Sequence, residues 1–350
     1  MWIVKGEGMI SQSVSKWMRG LAILMVIASH YAGWMFVEPV NPELREWVMT
    51  LGVFGVDIFF AMSGYGLVKA ASKHGIDKRY VWNRVKTSYI PYILLIGTIM
   101  LLDSDFEDMD DVISFLTGQE YWFMAVLFIV YILFMVCWKF RILKEITFAA
   151  ALIWYTNRLF VDGKASFWIV SNMTFLVGVI FADVEMFVNR IVDKKETRSN
   201  DSGKNAINLD NTVLYRIFKM ILLFVGFLGM RYCYKQFLIV DTIAWEIATS
   251  IFFAITIMAI SMVIPQKCSW LVPCKLLSIL GSYSLFIYLL HTRVYYFIIF
   301  KLEDLGYTWK VVIVGMITIT AGCVIGKLYN LLIAKAEMLL TTRLVRMRGE

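Results

Sequence analysis

Apolar residues along this chain come in blocks of about twenty, separated by short polar segments, and few charges fall inside a block. Each block is long enough to cross a lipid bilayer as a helix, because a helix satisfies its own backbone hydrogen bonds in hydrocarbon. About ten such spans are expected, at approximately 18–37, 49–68, 88–102, 121–138, 145–161, 166–183, 213–230, 242–264, 276–298 and 310–333. The ten-residue alternation of a membrane barrel is absent. The polar breaks divide by charge. The N-terminus, 69–87, 139–144, 184–212, 267–275 and the C-terminal tail carry most of the Lys and Arg, whereas 103–111 has none and is mostly acidic. By the positive-inside rule this alternation puts both termini in the cytoplasm, which an even span count requires. The expected fold class is therefore an all-α polytopic membrane protein. It is read as a single membrane domain over 1–350, with its core at about 15–335. The hydrophilic stretch 189–212 is read as a flexible cytoplasmic loop.

Composition agrees with that pattern. Of 350 residues, 59% are hydrophobic and only 17% charged, below the ~25% of a soluble domain, and the mean hydropathy is +0.68. The net charge of +7 is spread over several cytoplasmic segments, which reports topology and argues against nucleic acid as a partner. Five cysteines form no disulfide framework, and Cys268 with Cys274 lacks the spacing and companion ligands of a metal site, so no metal is expected.

Candidate chemistry begins inside the first span, where Arg19 and His30 stand eleven residues apart with only apolar or small residues between. Eleven steps of about 100° make about three turns, so the two share one stripe about 16 Å apart. Ionisable side chains inside a span are costly and face a protein interior or a wet cavity. Arg19 at the cytoplasmic boundary fits a forked hold on a phosphate or pyrophosphate, or else an ordinary snorkelling anchor. His30, deeper, fits a general base or nucleophile, or else a helix-bridging hydrogen bond. Asp57 lies at similar depth in the second span, and a His30–Asp57 dyad is expected, against a purely structural pairing. Further along the same span, Ser63-Gly64-Tyr65-Gly66 permits either close helix packing or a local break. A break would let Ser63 and Tyr65 line a thin channel, with Arg84 at its cytoplasmic mouth. Glu120 and Trp122 open the fourth span at the outer surface, as an aromatic belt or as a platform for a sugar ring. Tyr288 and His291 in the ninth span suggest a polar pocket opening outward.

These pieces together resemble the acyltransferase 3 family of integral-membrane O-acyltransferases of bacterial surface glycans. The matching residues are Arg19-Gly-Leu to His30, Asp57-Ile-Phe-Phe-Ala-Met-Ser63-Gly64-Tyr65, and Arg84 with Ile90-Pro91-Tyr92. Trp122-Phe123 with Leu127 and Tyr131, and Ser284 to His291, complete the set, in family order across the chain. The resemblance implies transfer of an acyl group, usually acetyl, from cytoplasmic acetyl-CoA to a hydroxyl of a glycan or lipid-linked glycan at the cell surface. Arg19 and His30 would be essential, with Asp57 beside His30. Arg19, Ser63, Tyr65 and Arg84 would serve the donor, and Glu120, Trp122, Tyr288 and His291 the acceptor. It also implies a bacterial plasma membrane, contact with membrane lipids, and a stand-alone type without an SGNH domain. Self-association is left open. One position departs from the family pattern: a second arginine is usual three residues after Arg84, where this chain has Thr87 beside Lys86. Two other classes compete with the enzyme: a transporter for a small molecule or lipid-linked sugar, and a non-catalytic binding protein.

Overall fold

The structure is a computed structural model that describes residues 10–35, 42–201, 209–264, 272–302 and 305–348. Every regular element among them is helical. In chain order these are α1 (Gln12–Met35), α2 (Pro42–His74), α3 (Lys78–Arg84), α4 (Ile90–Asp103), α5 (Met109–Thr117), α6 (Trp122–Cys137), α7 (Lys144–Val161), α8 (Asn172–Asp201), α9 (Leu209–Val240), α10 (Ile243–Val263), α11 (Val272–Ile299) and α12 (Tyr307–Arg348). Eight described helical stretches are long and apolar enough to cross a membrane. The chain is a polytopic, all-α, multi-pass membrane protein. Two of the ten expected spans fall outside that eight for visible reasons. α1 mixes Arg19 and His30 with glycine, serine and tyrosine, and α7 carries Lys144, Glu145 and Arg158 in eighteen residues.

α1 lies between α2 and α11, and α2 in turn packs on α8. The closest crossings use glycine. A Cβ at Gly20 or Gly281 would strike the backbone of Leu277 or Lys16, so α1 and α11 touch main chain to main chain. Small residues are what allow such approach between helices in lipid, where apolar surface alone gives no net attraction. Gly64 does the same for α2 against Phe175 of α8. α2 is unbroken from Pro42 to His74, so of the two alternatives at Ser63–Gly66 the helix takes close packing, through Gly64, and not a local break.

Three segments differ from the sequence expectation. The backbone of 189–201 continues α8 as helix instead of opening a loop, while 202–208 lie outside the described residues. α12 has 42 residues, about 63 Å of helix against ~30 Å of hydrocarbon, so it runs well past the expected end at 333. Outside the membrane no hydrocarbon boundary limits a helix, and hydropathy cannot register its end. The third difference concerns 103–121, expected as a surface loop. Asp108 caps α5 by accepting from the amides of Asp110 and Asp111, and the Asp111 side chain answers the Asp108 amide. α5 then folds back along α4. The Phe115 carbonyl accepts from Tyr92 Oη at 2.9 Å, and the Leu116 carbonyl accepts from Tyr89 Oη at 3.2 Å. Gly118, with φ of 83°, turns the chain in the left-handed region that a side chain resists. Tyr121 thereby sits 6.2 Å from the Tyr92 ring, and Tyr92 is about 16 Å along α4 from Asp103.

Candidate functional site

α1 carries the two ends of the site. Its crossing with α11 at Gly20 and Gly281 lies ten residues before both His30 and His291. The two helices run parallel from that crossing, so both histidines lie about 15 Å further along. There His291 Nε2 and His30 Nδ1 are 3.0 Å apart, and the rings stack with centroids 4.7 Å apart at 27°. His291 is 2% exposed. Its Nδ1 bonds the carbonyl of Tyr288, one turn earlier on the same helix, and its own carbonyl accepts from Tyr31 Oη at 3.2 Å. The Tyr288 ring lies 5.2 Å from His291 and 5.2 Å from Phe123. Tyr121 closes the group: its hydroxyl donates to the Leu289 carbonyl at 2.9 Å, and its ring stands edge-on to Tyr288. The two outer histidines that the sequence placed at similar depth are thus brought into direct contact.

Asp57 is not the partner of His30, contrary to the expected dyad. It is completely buried, yet neither carboxylate oxygen makes a hydrogen bond within the described residues. Ser171 and Ser250 stand beside it. The reason is rotational. Gly52 and Gly55 face Ser29 and Ala22 of α1, and Asp57, two residues on, is turned about 200° away from Gly55. Its face of α2 also carries Gly64, which meets α8.

The cytoplasmic end, as the positive-inside rule orients it, is built around two guanidinium groups. Arg19 donates from Nε to the Ser15 carbonyl at 3.3 Å and, more weakly, from Nη2 to Ser15 Oγ at 3.5 Å. Arg84 and Tyr131 are near enough to interact with it electrostatically. Arg84 lies over the Tyr80 ring at 5.5 Å, and its Nε is buried with no hydrogen-bond partner among the described residues. Among the described residues, neither arginine makes an ion pair. A π-helical stretch, Val85–Tyr89, follows Arg84 directly. Each residue so inserted turns the following helix by about 100°, so Arg84 and α4 need not share a face. Thr87, at the departure from the family pattern, is exposed and donates to the Asn83 carbonyl at 2.6 Å. Lys86 is committed to Glu337 of α12 at 2.6 Å.

The remaining expected residues divide. Ser63 is half-buried on α2. Tyr65 donates to Glu185, a completely buried carboxylate that also receives Lys69 Nζ at 2.9 Å. Tyr65 therefore belongs to an internal polar cluster tying α2 to α8. Glu120 is exposed. Trp122 is half-buried and packs on Phe167 and Trp168 of the α7–α8 connection, so it is Tyr121 and Phe123 that reach Tyr288. Sequence reading missed Arg293, which pairs with Asp103 at 3.3 Å and Asp105 at 3.2 Å. The signal was a lone cation in the outer half of α11 opposite the acidic run 103–111. His74 ends α2. Cys137, Cys233, Cys274 and Cys323 are free thiols, and Cys268 lies outside the described residues.

Two separated chemistries thus gather at the two ends of α1: guanidinium groups without ion pairs among the described residues at one, and a hydrogen-bonded histidine pair about 16 Å away at the other. No curated protein and no solved structure matches the chain. The model of the acyltransferase 3 family, described as an acyltransferase domain, matches residues 15–327, which takes in Arg19, His30, Asp57, Arg84 and His291. With most of its length so matched, the chain belongs to the acyltransferase 3 family, as a multi-pass membrane acyltransferase.

Proposed function

We propose that this protein moves an acetyl group from cytoplasmic acetyl-CoA to a hydroxyl of a cell-envelope glycan or its lipid-linked precursor, in a bacterial plasma membrane. The observation that carries the reading is the line from Arg19 and Arg84 to His30. Two guanidinium groups that have no acidic partner among the described residues suit the diphosphate of CoA, which their planar donors grip in pairs. The rise of about 16 Å from Arg19 to His30 along α1 is comparable to the reach of an extended pantetheine arm. The thioester would then lie at His30 while the nucleotide stays at the cytoplasmic face.

His30 removes the proton from the acceptor hydroxyl as the new C–O bond forms and the C–S bond of the thioester breaks, and the proton passes to the departing CoA thiolate. In the other route, His30 attacks the thioester first and carries the acetyl group to the hydroxyl in a second step. Acid quench of enzyme held with labelled acetyl-CoA separates the routes, since only the second leaves label on His30.

The deciding experiment compares ester-linked acetate on envelope glycans from cells carrying wild-type protein or His30→Ala, alongside CoA release by purified protein. Loss of both in the variant is expected. Equal acetate in the two strains overturns the reading, and uptake of a labelled sugar with the CoA ester intact would replace it with transport.

A further inference from the structure

We infer that His291 is a positioning residue that fixes the tautomer of His30 and so makes Nε2 of His30 the reactive nitrogen. The inference rests on the acyl-transfer reading above and goes beyond it, because it assigns to an imidazole on another helix the orienting role that a carboxylate was expected to fill.

The hydrogen bonds determine the protons. The Tyr288 carbonyl can only accept, so Nδ1 of His291 must carry a hydrogen to bond it. In a neutral ring that leaves Nε2 of His291 with a lone pair and no hydrogen. The same Nε2 is 3.0 Å from Nδ1 of His30, and that bond needs a donor. Nδ1 of His30 supplies it, which puts the basic lone pair of His30 on Nε2. At 2% exposure His291 is in surroundings that oppose a doubly protonated ring, which would reverse the direction of the bond. The chain of donors therefore runs from His30 through His291 to the backbone of α11.

The arrangement is held from several sides. The close approach at Gly20 and Gly281 sets the distance between α1 and α11. Tyr31, the neighbour of His30, donates to the His291 carbonyl and shares a 2.6 Å hydrogen bond with Thr318 of α12. Tyr288 packs on His291, and Tyr121 backs Tyr288. A base is useful only if its lone pair faces the reacting proton, and a ring free to present either nitrogen spends part of its time in the wrong state. During transfer, Nε2 of His30 gains the acceptor's proton while Nδ1–H stays bonded to His291. The proton on Nε2 then goes to the CoA thiolate, and both rings return to their starting tautomers. His291 gains and loses nothing and needs no contact with substrate.

The test uses the full-length protein in nanodiscs, labelled with ¹⁵N-histidine. Only three histidines are present, and His30→Gln and His74→Gln variants assign them. Two of the three, His30 and His291, should show a hydrogen on Nδ1. In His291→Ala the His30 signal should shift to the Nε2–H form, while in His291→Gln, whose amide oxygen can still accept from His30, it should stay. In parallel, kcat should fall about 100-fold in His291→Ala with little change in KM for acetyl-CoA, and His291→Gln should recover most of it. A His30 signal of the Nε2–H form in wild type, or one indifferent to His291→Ala, overturns the inference. So does a correct tautomer change with full activity retained. The spectra do not depend on turnover, so failure of the acyl-transfer reading would show as absent activity with the tautomers as assigned.

Discussion

The two ends of α1 are prepared in opposite ways. At the outer end, His30 is bonded to His291, and His291 to the backbone of its own helix, with aromatic rings closing the group. At the inner end, among the described residues, Arg19 makes only long bonds to Ser15, and Arg84 keeps a buried nitrogen without a partner. Several cations elsewhere among the described residues are matched: Lys69 with Glu185, Lys144 with Asp183, Arg293 with Asp103 and Asp105. The contrast is what binding and chemistry require. A phosphate site must leave donors uncommitted for the ligand, because a guanidinium already paired would have to break one bond to make another. A proton-transfer site gains from being ordered before substrate arrives, because order already present is not charged to the reaction barrier.

The sharpest test of that division is His30→Ala. Acyl transfer should fall by roughly 1,000-fold or more, while acyl-CoA still binds with nearly wild-type Kd, as titration calorimetry would read. Equal loss of binding and turnover would mean that the outer end also holds the donor. Next comes Gly281→Leu. Its side chain must force α1 and α11 apart at the backbone of Lys16, at a cost of about 1–3 kcal/mol or more, and the histidine pair with them. A lowered Tm together with activity reduced at least tenfold is expected.

Arg84→Ala should act at the inner end alone. Removing a charge-assisted contact worth about 1.5–3 kcal/mol raises KM for acetyl-CoA about tenfold to 100-fold and leaves kcat within a few-fold. A fall in kcat at unchanged KM would place Arg84 in the chemistry. The smallest effect should come from Asp57→Asn. Asp57 belongs to neither end, and Asn keeps its shape beside Ser171 and Ser250, so activity should stay within about threefold and Tm should hold or rise as a buried carboxylate gives way to a neutral amide. A loss near that of His30→Ala would restore the dyad that the structure does not form.

Much of this site could be read locally. A helical period puts Arg19 and His30 on one stripe wherever that helix sits, and apolar block length predicts most of the spans. The acidic run and the basic breaks orient the chain without any contact being known. What misled was pairing by depth. Asp57 and His30 lie on neighbouring helices at similar height, yet height says nothing of how each helix is turned about its axis. The folded-back α5 was hidden because its nine residues and polar cap look like a surface loop until Tyr89 and Tyr92 are seen to bond its carbonyls.

Local pattern alone thus settles the fold class, most of the membrane-spanning helices, and that a cation and an imidazole share one face of α1. The partner of His30 was decided only in three dimensions. It depends on Gly52 and Gly55 taking the face of α2 that meets α1, and on Gly20 and Gly281 drawing α11 close enough to present His291. Helix rotation is set by close contacts on all sides at once, between positions as far apart as 30 and 291, and no stretch of either helix carries that information by itself.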